Sequence, residues 1–199
     1  MIKFGTGGWR AVIGEDFTME NIRLVAAGIL KLMEAENKKD KPVIIGYDRR
    51  FLSVSGAKWV AEVLAAGGVT VWFLNRSAPT PLIMHTVKDK GLYYGIEITA
   101  SHNPSAYNGI KLIVEEGRDA PLETTELLES FIEQATPEVM DFDEGVKQGR
   151  IVYLKNPFNK FIDDIIDLLD MDALRERGLR VLFDSMHGSG AYPLMVIFY

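Results

Sequence analysis

Apolar residues recur along this chain with two different spacings, which predict helices and strands in alternation. Over residues 18–35 the apolar positions lie three or four residues apart, which indicates a helix with one buried face and Thr18 as its N-cap. Short apolar runs rich in β-branched residues predict buried strands instead. The predicted strands are 42–48, 69–74, 92–99 and 110–114, and the further predicted helices are 53–66, 82–90 and 122–135.

This alternation over residues 1–135 predicts an α/β domain with three layers, in which helices cover both sides of a central sheet. The last two predicted strands are separated by a polar loop that contains Asn108-Gly109, two residues that tolerate positive φ and favour a sharp turn. Adjacent strands joined by such a turn run antiparallel. The predicted sheet is therefore mixed and mostly parallel.

Beyond residue 135 the pattern becomes irregular and then resumes, which predicts a second domain. Residues 136–149 are rich in Pro, Asp, Glu and Gly and are interpreted as a linker. Residues 150–199 contain a predicted helix at 157–169, a predicted strand at 179–184 and an apolar terminal run. Because one strand cannot complete a sheet, we expect this part to be the truncated start of a second α/β unit of a longer protein. The apolar terminal run is expected to favour association with missing domains or other chains.

Composition and charge exclude several classes of function. The chain has 47% hydrophobic and 25% charged residues, which is typical of globular proteins. Its formal charge is -6, and its basic residues are interspersed with acidic ones instead of forming blocks, which argues against nucleic-acid binding. The absence of cysteine excludes disulfides, thiolate metal sites and a cysteine nucleophile. The start MIKFGTGG lacks a signal-peptide pattern, and no apolar run approaches the ~18 residues of a membrane span, so we expect a cytoplasmic protein.

The candidate chemistry is concentrated in ITASHNPSAYNGIK, residues 98–111. A predicted strand delivers Ser101 to a polar loop, and His102 and Asn103 follow directly. The predicted turn is expected to bring Lys111 back toward Ser101. A hydroxyl nucleophile, an imidazole and an ammonium group would then lie within a few residues of one another.

Two further segments contain groups that could hold a phosphate. A glycine-rich bend at residues 5–8 is followed by Arg10, whose guanidinium can bind two phosphate oxygens at once. Asp48, Arg49 and Arg50 follow a predicted strand, at the position where open α/β sheets commonly bind ligands, and Arg49 is a secondary candidate. A tight turn and loop salt bridges are the alternative, purely structural explanations of these two segments.

These motifs together resemble a known family. TASHNP followed by NGIK is similar to the active-site serine loop of the α-D-phosphohexomutase superfamily, the phosphoglucomutase and phosphomannomutase enzymes, and FGTGGWR and DSMHGSG are similar to other segments of it. The resemblance covers about the first 150 residues well and the remainder more weakly. It implies an enzyme that interconverts hexose 1-phosphate and hexose 6-phosphate through a phosphoserine and a bisphosphorylated sugar.

The resemblance also implies roles for individual residues. Ser101 would carry the phosphoryl group, and Lys111 would be the general acid or base for the sugar hydroxyl. His102 would orient the loop or assist proton transfer. Arg10 would face the phosphate. Asn103 would shape the loop, and it is also a candidate for phosphate binding.

The resemblance implies Mg²⁺ as the cofactor and a hexose 1,6-bisphosphate as the activator. One Mg²⁺ ligand would be the phosphate on Ser101, and the others would be aspartates of a second-domain loop that does not occur in this chain. The expected partners are hexose monophosphates and the missing C-terminal domains.

Two other classes of protein stay open. A serine hydrolase would use an oxyanion hole and often a G-x-S-x-G elbow, which the residues around Ser101 do not match. The second class is a catalytically incomplete module that binds phosphosugars or associates with another chain, because the sugar-specificity and distal phosphate loops are absent. For the same reason the sequence does not decide among glucose, mannose and glucosamine phosphates, although FGTGGWR and ITASHNP look more like the phosphoglucomutase/phosphomannomutase branch.

Overall fold

The computed structural model describes residues 2–5 and 7–199, and Met1 and Thr6 lie outside the described residues. The described strands form one seven-stranded sheet in the order β1-β5-β4-β2-β3-β7, with β6 paired to β5. The strands are β1 Trp9–Val12, β2 Val43–Tyr47, β3 Val71–Phe73, β4 Tyr94–Ile98, β5 Tyr107–Val114, β6 Arg118–Asp119 and β7 Ile151–Tyr153. The helices are α1 Met19–Ala35, α2 Ser53–Ala66, α3 Thr80–Asp89, α4 Leu122–Ile132, α5 Phe142–Lys147, α6 Pro157–Asp167, α7 Met171–Glu176 and α8 Ala191–Phe198.

The sheet is mixed, as predicted. Strand β2 pairs in parallel with β3 and β4, and β3 pairs in parallel with β7. Strand β5 runs antiparallel to β1, β4 and β6. Parallel pairing therefore occupies one half of the sheet, and each antiparallel pair in the other half includes β5.

The sheet separates two hydrophobic clusters, because successive residues of a strand point to opposite faces. Ile45 of β2 packs in the larger cluster with Val25 of α1. Its neighbour Ile44 packs in the smaller cluster with Leu82 of α3 and Phe161 of α6. Helices therefore cover both faces, which confirms the three-layer prediction.

The first predicted helix is found with its predicted cap. Helix α1 begins after Thr18, whose side-chain oxygen accepts a hydrogen bond from the Asn21 N–H at 3.3 Å. This bond satisfies one of the backbone donors that a helix start leaves free.

Among the described residues, no helix is both long and apolar enough to cross a membrane.

Packing of the sheet unit continues well beyond residue 135, where the first domain was predicted to end. The segment predicted as a linker contains α5, and its Phe142 ring lies 5.0 Å from the Phe73 ring. Strand β7 then pairs with β3, and Phe158 and Phe161 of α6 are buried against the α3 face. The physical reason is that β3 would otherwise expose an unpaired edge. The sheet unit thus extends at least to the end of α6.

We expect this extension to contribute to stability. A chain cut after residue 135 loses α5, β7 and α6 and exposes the apolar surface that they cover. Each large apolar side chain contributes ~1.5–3 kcal/mol when fully buried. It should therefore unfold at a lower urea concentration than a chain cut after residue 169, or aggregate through the β3 edge. Urea titration followed by circular dichroism compares the two chains, and equal midpoints would contradict this role of α5, β7 and α6.

The strand predicted at residues 179–184 is wrong. These residues adopt no regular structure, and Leu182 is 99% exposed. In the described part of the chain no strand pairs with them, and an extended segment without a partner forms no ladder. The apolar terminal run forms α8, of which Pro193 is buried.

Candidate active site

The serine-bearing loop joins β4 to β5, and its turn lies earlier than predicted. The backbone N–H of Asn103 bonds to the Ala100 carbonyl at 3.0 Å, and that of Tyr107 bonds to the Pro104 carbonyl at 3.0 Å. Asn108 and Gly109, predicted to form the turn, lie inside β5. The turn prediction at these two residues is wrong, although the antiparallel pairing that it implied is confirmed.

Asn108 and Gly109 serve the packing of β5 instead. The buried Asn108 amide donates to the Phe51 carbonyl at 3.0 Å and to Ser53 Oγ at 2.8 Å. A Cβ at Gly109 would collide with the Trp9 carbonyl oxygen and lie 2.9 Å from that of Thr99. Small size at position 109, rather than positive φ, is therefore what the fold requires.

Ser101 is exposed at the tip of this loop in a conformation that non-glycine residues seldom adopt. Its φ is +54°, and its N–H bonds to Thr99 Oγ1 at 3.0 Å. Its Oγ lies 3.4 Å from His102 Nδ1, so the two side chains predicted to act together are adjacent. Left-handed backbone at a polar residue is a feature that clusters at functional sites.

Arg50, which the sequence analysis passed over in favour of Arg49, anchors this loop. Its guanidinium donates hydrogen bonds to carbonyl oxygens spread over the whole turn. The acceptors are Ser101 O at 2.8 Å, Asn103 O at 2.6 Å, Pro104 O at 2.9 Å and Tyr107 O at 3.0 Å. One charged side chain therefore fixes the path of the loop that presents Ser101.

Asp48 in turn holds Arg50 in place. Its Oδ1 accepts from the Arg50 N–H at 2.8 Å and from the Ser53 hydroxyl at 2.6 Å. Its Oδ2 accepts from the Thr99 hydroxyl at 2.7 Å and lies 3.3 Å from Arg50 Nε. Ser53 is the first residue of α2 and follows Leu52, and its hydroxyl donates to Asp48.

Arg10 reaches the serine loop from the N-terminal segment. Its Nη1 donates to Asn103 Oδ1 at 2.7 Å, so two predicted phosphate-binding residues contact each other. Gly7 lies beside the guanidinium, since a Cβ there would be 2.8 Å from Arg10 Nη2. Of the predicted glycine-rich bend, Thr6 lies outside the described residues.

Arg49 points away from the loop backbone and toward the DSMHGSG segment. Its Nε donates to Ser77 Oγ and its Nη1 to the His187 carbonyl oxygen, both at 3.4 Å. Met186 and His187 have φ of +45° and +69°, which makes this segment another strained turn. The serine loop, the segment after β2 and the DSMHGSG segment together form an open groove. It is lined by Asp48, Arg49, Ser101, His102, Met186 and His187.

Lys111 is not brought to Ser101. It pairs in register with Glu97 of β4, whereas Ser101 follows four residues later, in the loop beyond the end of β4. Its Nζ forms an ion pair with Asp119 Oδ1 at 2.9 Å. Lys111 lines a small cavity with Gly7 and Gly8 instead of the groove.

Glu97 is a residue of the site that the sequence analysis missed. It lines the groove and is 0% exposed, and both carboxyl oxygens lack a hydrogen-bond partner among the described residues. Burial raises the pKa of Glu97 well above its ordinary value of 4.5, and the nearby charge of Asp48 raises it further, whereas Lys111 opposes the shift. The sequence signal was available, because Glu97 is the one charged residue in the strand YGIEI.

The described residues do not form a metal site by themselves, since they contain no group of three or more His, Asp or Glu side chains that could hold an ion. The Asp48 carboxylate is already occupied by Arg50, Ser53 and Thr99. A hydroxyl of Ser101 alone does not fit the six oxygen ligands that Mg²⁺ requires.

The fold and the site define a three-layer α/β domain that presents a serine at the end of a parallel strand. A sequence model described as phosphoglucomutase/phosphomannomutase, alpha/beta/alpha domain I, matches residues 1–138. The chain belongs to this family.

Known relatives agree with this assignment, and a solved structure supports the fold. The chain is 33% identical over 207 residues to a phosphoglucomutase of Staphylococcus saprophyticus, covering 98% of the chain and 36% of that protein. It is 31% identical over 197 residues to a phosphoglucomutase of Staphylococcus aureus, covering 94% and 35%. The structure of pp63/parafusin, a phosphoglucomutase from Paramecium in its open form, has a TM-score of 0.79 at 19% identity over 98% of the chain and 40% of that chain, which supports the fold. The chain spans about a third of the length of the relatives it matches.

Proposed function

We propose that this chain is the phosphoserine-bearing part of a phosphohexomutase of the phosphoglucomutase/phosphomannomutase type. The observation that carries the proposal is the exposed Ser101, held at φ +54° on a loop whose carbonyls are bonded by Arg50. Such a rigid presentation suits phosphoryl transfer, which depends mainly on positioning and on neutralising charge. The groove beside Ser101 also contains Arg49, which can bind a phosphate.

In the proposed reaction, a phosphoryl group on Ser101 is transferred to a hexose monophosphate. The bond between Ser101 Oγ and phosphorus breaks, a sugar oxygen forms the new bond to phosphorus, and the proton of that sugar hydroxyl passes to a base. The bisphosphorylated sugar reorients, and its other phosphate returns to Ser101 Oγ. The net reaction interconverts hexose 1-phosphate and hexose 6-phosphate, and a hexose 1,6-bisphosphate loads the serine.

The proposed acid and base groups are His102 and Lys111. His102 Nδ1 is 3.4 Å from Ser101 Oγ, which suits a role at the serine itself. Lys111 lines a different cavity from Ser101, so its proposed role is confined to the sugar hydroxyl. That role requires its ion pair with Asp119 to open. Arg10 is proposed to bind phosphate with the N–H groups that its bond to Asn103 leaves available.

The expected cofactor is Mg²⁺, which supplies positive charge to phosphoryl groups, and its ligands other than the phosphate on Ser101 would come from further domains of a longer protein. We also propose that the sheet unit through α6 is the first domain and that the segment from about residue 170 begins a second. The alternative function is a catalytically incomplete module that binds phosphosugars, and labelling of Ser101 distinguishes the two.

Ser101 should become labelled when the 199-residue chain is incubated with Mg²⁺ and glucose 1,6-bisphosphate carrying labelled phosphate. Phosphopeptide mapping locates the label. Ser101→Ala should abolish it, because the acceptor hydroxyl is removed, and the neighbouring Ser105→Ala should keep it.

A second chain, extended with the C-terminal domains of the relatives, separates the two functions. Label on the extended chain alone would support the incomplete module, because the missing domains would then be needed for phosphoryl uptake. Absence of label and of mutase activity in both folded chains would contradict the proposed function. Reaction of Ser101 with a fluorophosphonate would instead support a hydrolase.

A further inference from the structure

Glu97 poses a physical problem that the proposed chemistry does not solve. Burying a carboxyl group without a hydrogen bond is unfavourable, so such groups are rare and call for an explanation. Glu97 is 0% exposed, and both its oxygens lack partners in the described part of the chain. The fold nevertheless makes room for it, because a Cβ at Gly46 would collide with Glu97 Oε2 and with Ile83.

The charges around Glu97 favour its neutral form. Asp48, at the end of β2, is a like charge that opposes ionisation. Lys111, the cross-strand partner on β5, favours ionisation, but its ammonium is paired with Asp119 at 2.9 Å. The Tyr47 hydroxyl is uncharged at neutral pH, and α3 contributes the apolar Ile83.

A chain of hydrogen bonds connects Asp48, the like charge near Glu97, to Ser101. Asp48 Oδ2 accepts from the Thr99 hydroxyl at 2.7 Å, and Thr99 Oγ1 accepts from the Ser101 N–H at 3.0 Å. Asp48 also contacts Arg50, which bonds to the loop carbonyls. A negative charge on Glu97 would repel the carboxylate of Asp48, which holds both Thr99 and Arg50, and would so disturb the support of the loop.

We propose that Glu97 is a positioning residue that acts as a neutral carboxylic acid beneath the serine loop and couples proton binding to the phosphorylation of Ser101. The coupling half of this inference rests on the proposed function. A phosphate on Ser101 adds a charge of about -1.5 to -2 near the groove, and this charge favours the protonated form of Glu97. Linkage is reciprocal, so a protonated Glu97 favours phosphorylated Ser101 to the same extent.

NMR of the 199-residue chain with ¹³C-labelled glutamate and ¹⁵N-labelled amides tests whether Glu97 is a neutral acid that positions the serine loop. One glutamate signal, absent in Glu97→Gln, should titrate well above 4.5, the ordinary pKa of a glutamate. The Ser101 and Thr99 amide signals should move with the same midpoint. In Glu97→Gln that movement should vanish, and in the exposed control Glu138→Gln it should stay.

Stability gives an independent measure with a defined sign. Because the folded-state pKa of Glu97 is raised, its contribution to stability is complete below about 4.5 and is lost as pH rises toward the raised pKa. The urea midpoint of the wild-type chain should therefore fall relative to that of Glu97→Gln over this interval. A constant difference between the two chains would contradict the raised pKa.

The coupling between proton binding and phosphorylation is tested with phosphoserine incorporated genetically at position 101. This does not require the chain to phosphorylate itself. The Glu97 midpoint should rise by about one unit, equivalent to roughly tenfold tighter proton binding. An ordinary Glu97 midpoint, the same amide titration in Glu97→Gln, or an unchanged midpoint in the phosphoserine chain would overturn the proposal. Failure of the bisphosphate labelling would count against the proposed function alone.

Discussion

Arg50→Ala is expected to lower the free energy of unfolding by about 3 to 5 kcal/mol, the range for breaking a largely buried ion pair. Arg50 and Asp48 side chains are each 15% exposed and lie 3.3 Å apart. The substitution also leaves four loop carbonyls without their charged donor. Because a loop displaced by about 1 Å can lower a reaction rate roughly 100-fold, phosphoryl uptake by Ser101 should fall by that order.

The neighbouring Arg49 provides the matched control for stability. It is exposed and makes only long bonds, at 3.4 Å, to Ser77 and His187. Arg49→Ala should change the free energy of unfolding by less than about 1 kcal/mol. Urea unfolding of both alanine variants measures the effects on stability. Phosphate labelling of Arg50→Ala, with Arg50→Lys as the conservative change, measures the effect on phosphoryl uptake. Equal losses in the two alanine variants would show that Arg50 does not anchor the loop.

The choice between Arg49 and Arg50 illustrates what the sequence could not provide. Both follow Asp48, and both are suited to phosphate. Which one turns toward the serine loop depends on backbone angles after β2 and on carbonyls that lie 51 to 57 residues away in the chain. Hydrophobic periodicity contains no such information, so the serine loop could be predicted and its anchor could not.

The elements with a strong period were predicted well, and the short ones were not. Helix α1 and strand β2 were predicted with nearly correct ends, because many apolar residues define each of them. Strand β7 has only three residues and follows a polar stretch, so its role at the sheet edge was not evident. Its pairing with β3 is a tertiary preference, and strand propensity depends strongly on such a context.

The segment Asn108-Gly109 shows how one motif can have two structural causes. Asparagine followed by glycine favours a tight turn, because both tolerate positive φ. In this protein Gly109 is not among the glycines with positive φ, and its neighbour Asn108 bonds to Phe51 and Ser53. Close packing of β5 against β1 explains the glycine, and substitution distinguishes this cause from the turn.

Gly109→Ala is expected to lower the free energy of unfolding by about 3 kcal/mol, the upper part of the range for overpacking. The new methyl group would meet backbone on both sides, namely the carbonyls of Trp9 and Thr99, and backbone cannot move aside as a flexible side chain can. Gly68→Ala is the control, because Gly68 has φ +82° and open space around it. There the cost is conformational strain alone, roughly 1 to 2 kcal/mol. If urea unfolding shows that Gly109→Ala is no more harmful than Gly68→Ala, then the close approach of β1 to β5 cannot be the reason for a glycine at this position.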